Sequence, residues 1–145
     1  MVVARRVEEP RAALGVLWAT VPLVAPWRPR THPRVDAGQA GWLVRHHGRD
    51  SLAPFAMRED KAWYVFPSVA PQSAQALIAY RVVGGVALVS GMPIGPAGVR
   101  DRALQSFVGW AHHGGWQVAV LGAAEDDLPI LAGAGLRGVY HGVEA

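Results

Sequence analysis

Two strongly apolar runs, Ala76–Val83 and Val86–Ser90, are separated only by Gly84-Gly85, and this pair constrains the fold more than any other stretch. A diglycine link suits the two-residue turns that close antiparallel hairpins, because both central residues need positive φ. Apart from Arg81 the runs are almost unbroken in their hydrophobicity, so both faces of the hairpin are expected to be covered, as at the centre of a sheet. A glycine- and proline-rich loop, Gly91-Met-Pro-Ile-Gly-Pro, follows directly. Beyond it Val99, Ala103, Phe107 and Ala111 recur at steps of four, with Leu104 and Val108 beside them. That spacing predicts a helix with Arg100, Asp101, Arg102, Gln105 and Ser106 on its wet face, ended by Gly114-Gly115. Residues 117–121 read as a buried strand, 125–132 as a short helix and 136–140 as a last strand fragment.

Upstream, Asp36 can cap a helix running to about His47, with Ala40, Leu43, Val44 and His47 on one stripe and Gly48 as its stop. Residues 52–57 and 62–66 read as a strand pair around the charged turn Arg58-Glu59-Asp60-Lys61, and 68–73 as a loop. The compact domain is thus expected over residues 35–145. Residues 1–34 are expected to form a basic, apolar, proline-rich tail loosely packed against it. They carry six arginines and two glutamates, +4, whereas residues 35–145 carry eight bases and nine acids, −1. The high pI belongs to the tail, which argues against a nucleic-acid-binding domain with a broad basic face. Residues 12–27 are free of charge, but as a helix they would span only ~24 Å against a ~30 Å hydrocarbon core. Pro22 and Pro26 interrupt them further. The segment is expected to be a membrane stub or an interfacial anchor with Trp18 and Trp27 at headgroup depth.

Several residues could carry chemistry. The stretch 91–98 lies between a central strand and a helix start, where backbone N–H groups favour anions. Pro93 and Pro96 each delete one such donor. Asp60 and Lys61 stand side by side at a predicted turn; the ordinary reading is a solvated charge pair, the functional one a contact to a donor phosphate or carboxylate. Glu125 opens a helix directly after a strand, where a carboxylate stabilises the helix dipole and could also serve as a general base. His46-His47 and His112-His113 lie at predicted helix ends, and neighbours ~100° apart on a helix cannot chelate one ion together. The sequence holds no cysteine, no His-x-x-x-His, no Gly-x-Ser-x-Gly and no Walker loop, which speaks against metalloenzyme and serine-hydrolase readings.

The order strand, strand, loop, helix, strand is that of a GNAT-type acyltransferase, an α/β fold whose mixed sheet splays and is flanked by helices. More narrowly, three strings follow one another as in the C-terminal domain of the phosphatidylglycerol lysyltransferase family. They are Asp50-Ser-Leu-Ala-Pro-Phe-Ala-Met-Arg-Glu-Asp-Lys61, the stretch from Leu77 to Gly95, and Tyr140-x-Gly142-x-Glu144-Ala145. The chain resembles the first of that family's two tandem GNAT units. The resemblance implies transfer of an aminoacyl group, lysyl above all, from aminoacyl-tRNA to phosphatidylglycerol, an anionic phospholipid, in bacteria. It implies no metal and no cofactor, and a membrane-associated protein at the cytoplasmic face. The family commonly reads Gly-Asp-Pro where this chain has Gly91-Met92-Pro93, and Gly-Asp-Glu-Ala where it has Gly142-Val143-Glu144-Ala145. Both departures remove a carboxylate, so a catalytically incomplete fragment is expected. Two alternatives stay open: a stand-alone acyl-CoA-dependent N-acyltransferase, and a non-catalytic membrane-tethered module. An exposed sheet edge would also allow a homodimer.

The site is expected where the strands ending at Ser90 and Gly122 part. Asp60, Lys61, Arg81, Gly91 and Gly95 would bind the substrate, Ser90 would contribute a hydroxyl, and Glu125 would accept a proton.

Overall fold

The computed structural model describes residues 2–5, 35–67 and 74–140, with the backbone alone at 2–5 and 140. Its elements run β1 (Val2–Arg5), α1 (Ala37–His47), a 3-10 segment (Ala53–Met57), β2 (Ala62–Phe66), β3 (Ala76–Val83), β4 (Val86–Ser90), α2 (Ala97–His113), β5 (Gln117–Ala123), a 3-10 turn (Glu125–Asp127), α3 (Leu128–Gly133) and β6 (Arg137–Tyr140). They form a mixed six-stranded sheet in the order β2-β3-β4-β5-β1-β6. Among the described strands only the β4–β5 pair is parallel, from Val86↔Gln117 to Ser90↔Leu121. Parallel neighbours need a crossover, and the loop 91–96 with α2 supplies it. The diglycine hairpin is as expected: Gly84 and Gly85 have φ of 56° and 79° and lie at the turn between β3 and β4.

The alternation of strand side chains divides the core into two layers. On one face Tyr64, Ile78, Tyr80, Val89, Val118 and Val120 pack against Leu104, Phe107 and Ala111 of α2 and Leu131 of α3. Tyr80 sits among Phe107, Trp110 and Trp116 with ring centroids 5.3–6.3 Å apart. On the other face Val65, Leu77 and Ala79 pack against Ala40 and Leu43 of α1 and Ala53 and Ala56 of the 3-10 segment. Helix α1 begins as expected, the Asp36 carboxylate accepting the Gly38 N–H at 3.1 Å. It ends with the Gly48 N–H donated to the Val44 carbonyl.

Three expectations are corrected. Residues 53–57 are a 3-10 segment and not a strand, because Pro54 has no N–H for a ladder and the Phe55 N–H turns back to the Leu52 carbonyl. Val2–Arg5 is not outside the domain: it pairs antiparallel with both β5 and β6. Without it the outer edge of β5 would be an unpaired row of peptide groups, and Val2-Val3-Ala4 has the small and β-branched composition a strand favours. Arg100 is not on the wet face of α2 but half-buried, paired with Asp127 at 3.3 Å. The remainder of the tail (6–34), the loop 68–73 and residues 141–145, with the Gly142-x-Glu144 string, lie outside the described residues.

The C-terminal ends of the parallel pair are closed by one short loop. Gly91 and Gly122, at these ends, have φ of 76° and 75°. A Cβ on Gly91 would lie 2.6 Å from the Asp50 carboxylate, and one on Gly122 would lie 2.3 Å from Leu52 Cδ1. The Asp50 carboxylate also accepts the N–H groups of Leu52 (3.0 Å) and Met92 (3.3 Å), so it fastens its own turn to the β4–α2 loop. Gly91→Ala combines left-handed backbone strain with displacement of this carboxylate and is expected to cost about 2–4 kcal/mol. Gly115→Ala, with φ of 77° and open space around it, is expected to cost about 1–2 kcal/mol. Urea denaturation of the two variants checks this; equal losses would show that Asp50 moves aside freely.

Candidate functional site

Strand pairing brings Lys61, Arg81 and Ser90 onto one side of the sheet. Ala62, Tyr80 and Val89 face α2, so their neighbours Lys61, Arg81 and Ser90 face the side carrying α1. The Lys61 ammonium crosses β3 and donates to the Ser90 hydroxyl at 2.7 Å. At this end of the sheet Ala79, the partner of Trp63 in β2, keeps the path low. Asp60 takes both neighbouring guanidinia, Arg58 at 3.0 Å and Arg81 at 3.3 Å. Three cations thus surround one carboxylate. Four of the sequence-predicted site residues, Asp60, Lys61, Arg81 and Ser90, stand together, and Gly91 adjoins them through the chain.

The electrostatics of the cluster are uneven. Burial lowers the Lys61 pKa below the ordinary lysine value of 10.5; the Asp60 charge opposes this, while the charges of Arg58 and Arg81 add to it. Burial alone would push the Asp60 carboxyl up, but the Arg58 hydrogen bond and charge, with the Lys61 charge, bring it below 3.8.

The remaining predicted residues are arranged differently. The Gly91–Gly95 backbone does not offer a row of free donors. The Gly91 N–H bonds the Leu121 carbonyl, the Met92 N–H bonds Asp50, and the Ile94 N–H bonds the Leu77 carbonyl. Gly95 is there for a close approach: a Cβ would lie 2.6 Å from the Gln75 carbonyl. Met92 is buried at 4% exposure and is part of the core. Glu125 is exposed, and among the described residues no hydrogen bond joins it to Lys61 or Ser90. Gly95 lines a separate open cleft of about 280 Å³ between the β4–α2 loop, Arg100, residues 124–127 and the end of α1, with His47, Arg49 and Asp50 on its wall. In it the Arg100 guanidinium holds Asp127, whose second oxygen accepts the Ala124 N–H at 3.3 Å. Sequence reasoning missed Asp50 and the Arg100–Asp127 pair. An Asp followed two residues on by a turn amide is a legible local signal for Asp50. Its bond to Met92, 42 residues away, is not. No group of three metal-ligating side chains occurs among the described residues. His46 and His113 instead donate from Nδ1 to the carbonyls of Trp42 and Gly109, satisfying helix ends.

The family described as the C-terminal domain of phosphatidylglycerol lysyltransferase matches residues 42–145. The chain belongs to that family. It is 39% identical over 110 residues to the lysylphosphatidylglycerol biosynthesis bifunctional protein LysX of Rhodococcus jostii, covering 76% of this chain and 9% of the relative. An MprF-like domain protein of Mycobacterium tuberculosis is 33% identical over 122 residues, covering 80% and 24%. The chain therefore spans less than a quarter of the length of these relatives. Among solved structures, L-PGS from Bacillus licheniformis superposes with a TM-score of 0.58 at 20% identity, covering 67% of this chain and 28% of that one. The C-terminal domain of a lysylphosphatidylglycerol synthetase candidate from Agrobacterium fabrum gives 0.57 at 24% identity, covering 70% and 30%. These likenesses agree with the mixed α/β, GNAT-type fold expected of the sequence.

Lys61 is the sole lysine of the chain, so selective 13Cε labelling gives one side-chain resonance. Its titration midpoint is expected below 10.5, and Arg81→Ala is expected to move it upward by removing a repelling charge and freeing Asp60. Between the folded midpoint and 10.5 the unfolded chain binds more protons at this group, so its contribution to stability improves as pH rises through that window. The stability of the wild type relative to Lys61→Met should therefore increase over the same range in urea titrations. A wild-type midpoint at or above 10.5 would contradict the arrangement.

Proposed function

We propose that this domain acts in the transfer of an aminoacyl group, lysyl in its named relatives, from aminoacyl-tRNA to the glycerol hydroxyl of phosphatidylglycerol. The family match over residues 42–145 carries the reading. The convergence of Lys61, Arg81 and Ser90 on one side of the sheet supports it. In the reaction the lipid hydroxyl attacks the ester carbonyl, the negative charge passes to the carbonyl oxygen, and the 3′-hydroxyl of the tRNA leaves with a proton. A cluster with three cations and one carboxylate suits the phosphate of either substrate. Lys61, bonded to Ser90 and with its pKa lowered by burial and by the Arg58 and Arg81 charges, is the group we assign to that phosphate. Ser90 positions it. The reading places the domain beside a membrane, at the cytoplasmic face where charged tRNA is found. No helix among the described residues is long and apolar enough to cross a bilayer.

The test is a chimera in which this domain replaces the aligned 110-residue stretch of the Rhodococcus jostii protein, with lipid extracts resolved by thin-layer chromatography after [14C]lysine labelling. The chimera is expected to make lysylphosphatidylglycerol, and its Lys61→Ala form less than about a tenth as much, the loss of one charge-assisted contact worth ~1.5–3 kcal/mol. A well-expressed chimera that yields none, or an undiminished Lys61→Ala form, would overturn the assignment.

A further inference from the structure

Helix α1 buries Ala40 and Leu43 and turns the opposite stripe outward. Trp42, Arg45 and His46 fall on that stripe at the i, i+3, i+4 spacing. Trp42 is 48% exposed, its ring stacked on His46 at 4.4 Å, so a large aromatic side chain is held in a fixed pose at the surface. The 3-10 segment packed beside α1 adds Phe55 at 47% and Met57 at 36% exposure. Met57 reaches α1: its Cε and Arg45 Nη1 lie 4.0 and 3.5 Å from where a side chain on Gly41 would begin. Three of the six large apolar side chains exposed among the described residues are therefore gathered here.

The charge on α1 beside them has one sign. From Ala37 to Arg49 there is no acid, while Arg45, His46, His47 and Arg49 stand at the end of the helix. Neither Arg45 nor Arg49 forms an ion pair among the described residues. The acids that bound the patch are placed elsewhere: Asp36 caps the far end of α1, Asp50 is turned to the amides of Leu52 and Met92, and Asp60 holds Arg58 and Arg81. Glu59 alone stands exposed beyond Met57. An aromatic and thioether centre rimmed by arginine fits the headgroup region of an anionic bilayer, where rings sit at the interface and each base near the surface is worth ~1 kcal/mol.

We propose that the outer face of α1 and the adjoining 3-10 segment, centred on Trp42, Phe55 and Met57, is a docking surface for an anionic lipid membrane. The proposal rests on the lipid-acting reading above and names the face through which the domain meets its lipid. It also accounts for orientation, since Lys61 and Ser90 lie on the same side of the sheet as α1 and the Lys61 N–H is bonded to the Arg58 carbonyl at the end of the 3-10 segment.

Because the chain holds no cysteine, one environment-sensitive nitrobenzoxadiazole dye can be attached at Phe55→Cys, or at Asp101→Cys on α2, the opposite side, as control. Full-length protein is titrated with vesicles of phosphatidylglycerol and phosphatidylcholine, with vesicles of phosphatidylcholine alone, and with bulk tRNA. The dye at position 55 is expected to brighten and shift to the blue with the anionic vesicles only, and the control dye to stay unchanged. Arg45→Ala with Arg49→Ala should weaken that response roughly 25-fold, two bases at ~1 kcal/mol each. Vesicle binding without a response at position 55 would mean that another segment makes the contact, and would overturn the proposal. So would an equal response to neutral vesicles, or a response to tRNA in place of lipid. Vesicle binding is read without turnover, so an inactive chimera in the experiment above would leave this result standing.

Discussion

Pairing of β4 with β5 is the constraint on which the rest of the molecule depends. Among the described residues it is the only parallel contact in the sheet, so its strands cannot be joined by a turn, and α2 is committed to one face as the crossover. Once α2 covers that face, α1 and the 3-10 segment must cover the other, and the two cores follow. The pair also ends in two glycines with positive φ, and those ends receive Asp50 and Leu52 from the segment following α1. A single loop thus locks the two layers to each other across the sheet. Beyond these ends the β4–α2 loop lines the open cleft, and Pro93 and Pro96 remove two N–H donors from that loop.

How much of this was legible follows from the range of each interaction. The hairpin, α2 and the Asp36 cap rest on neighbours within a few residues, and composition alone is enough to read them. Residues 52–57 look like a strand because they form a short apolar run before a charged turn, yet Pro54 and the Asp50 turn outweigh that composition. Placing Val2–Arg5 between β5 and β6 requires contacts more than a hundred residues apart, and no periodicity in four residues can announce it. Arg100 was assigned to water by its helical position; Asp127, 27 residues on, takes it out. The candidate site divides in the same way. Asp60 beside Lys61 is visible as a pair, and Arg81 and Ser90 are visible as the polar residues of an apolar hairpin, but their convergence depends on the register of three strands.

That register gives the Lys61 cluster its meaning. A lysine at a turn is normally solvated and contributes little to stability, and nothing in folding requires it to lie over the sheet beside two arginines. Here the ammonium is drawn partly out of water, repelled by Arg58 and Arg81, and held by one neutral hydroxyl and one carboxylate already shared between two guanidinia. The arrangement lowers the stability of the charged amine in the free protein. On the reading proposed above, a phosphate entering beside Ser90 would favour the charged amine and move the Lys61 pKa upward. The site and the fold are then linked by one residue: Ser90 closes β4, fixes where Lys61 points, and begins the loop that Asp50 fastens to the other layer.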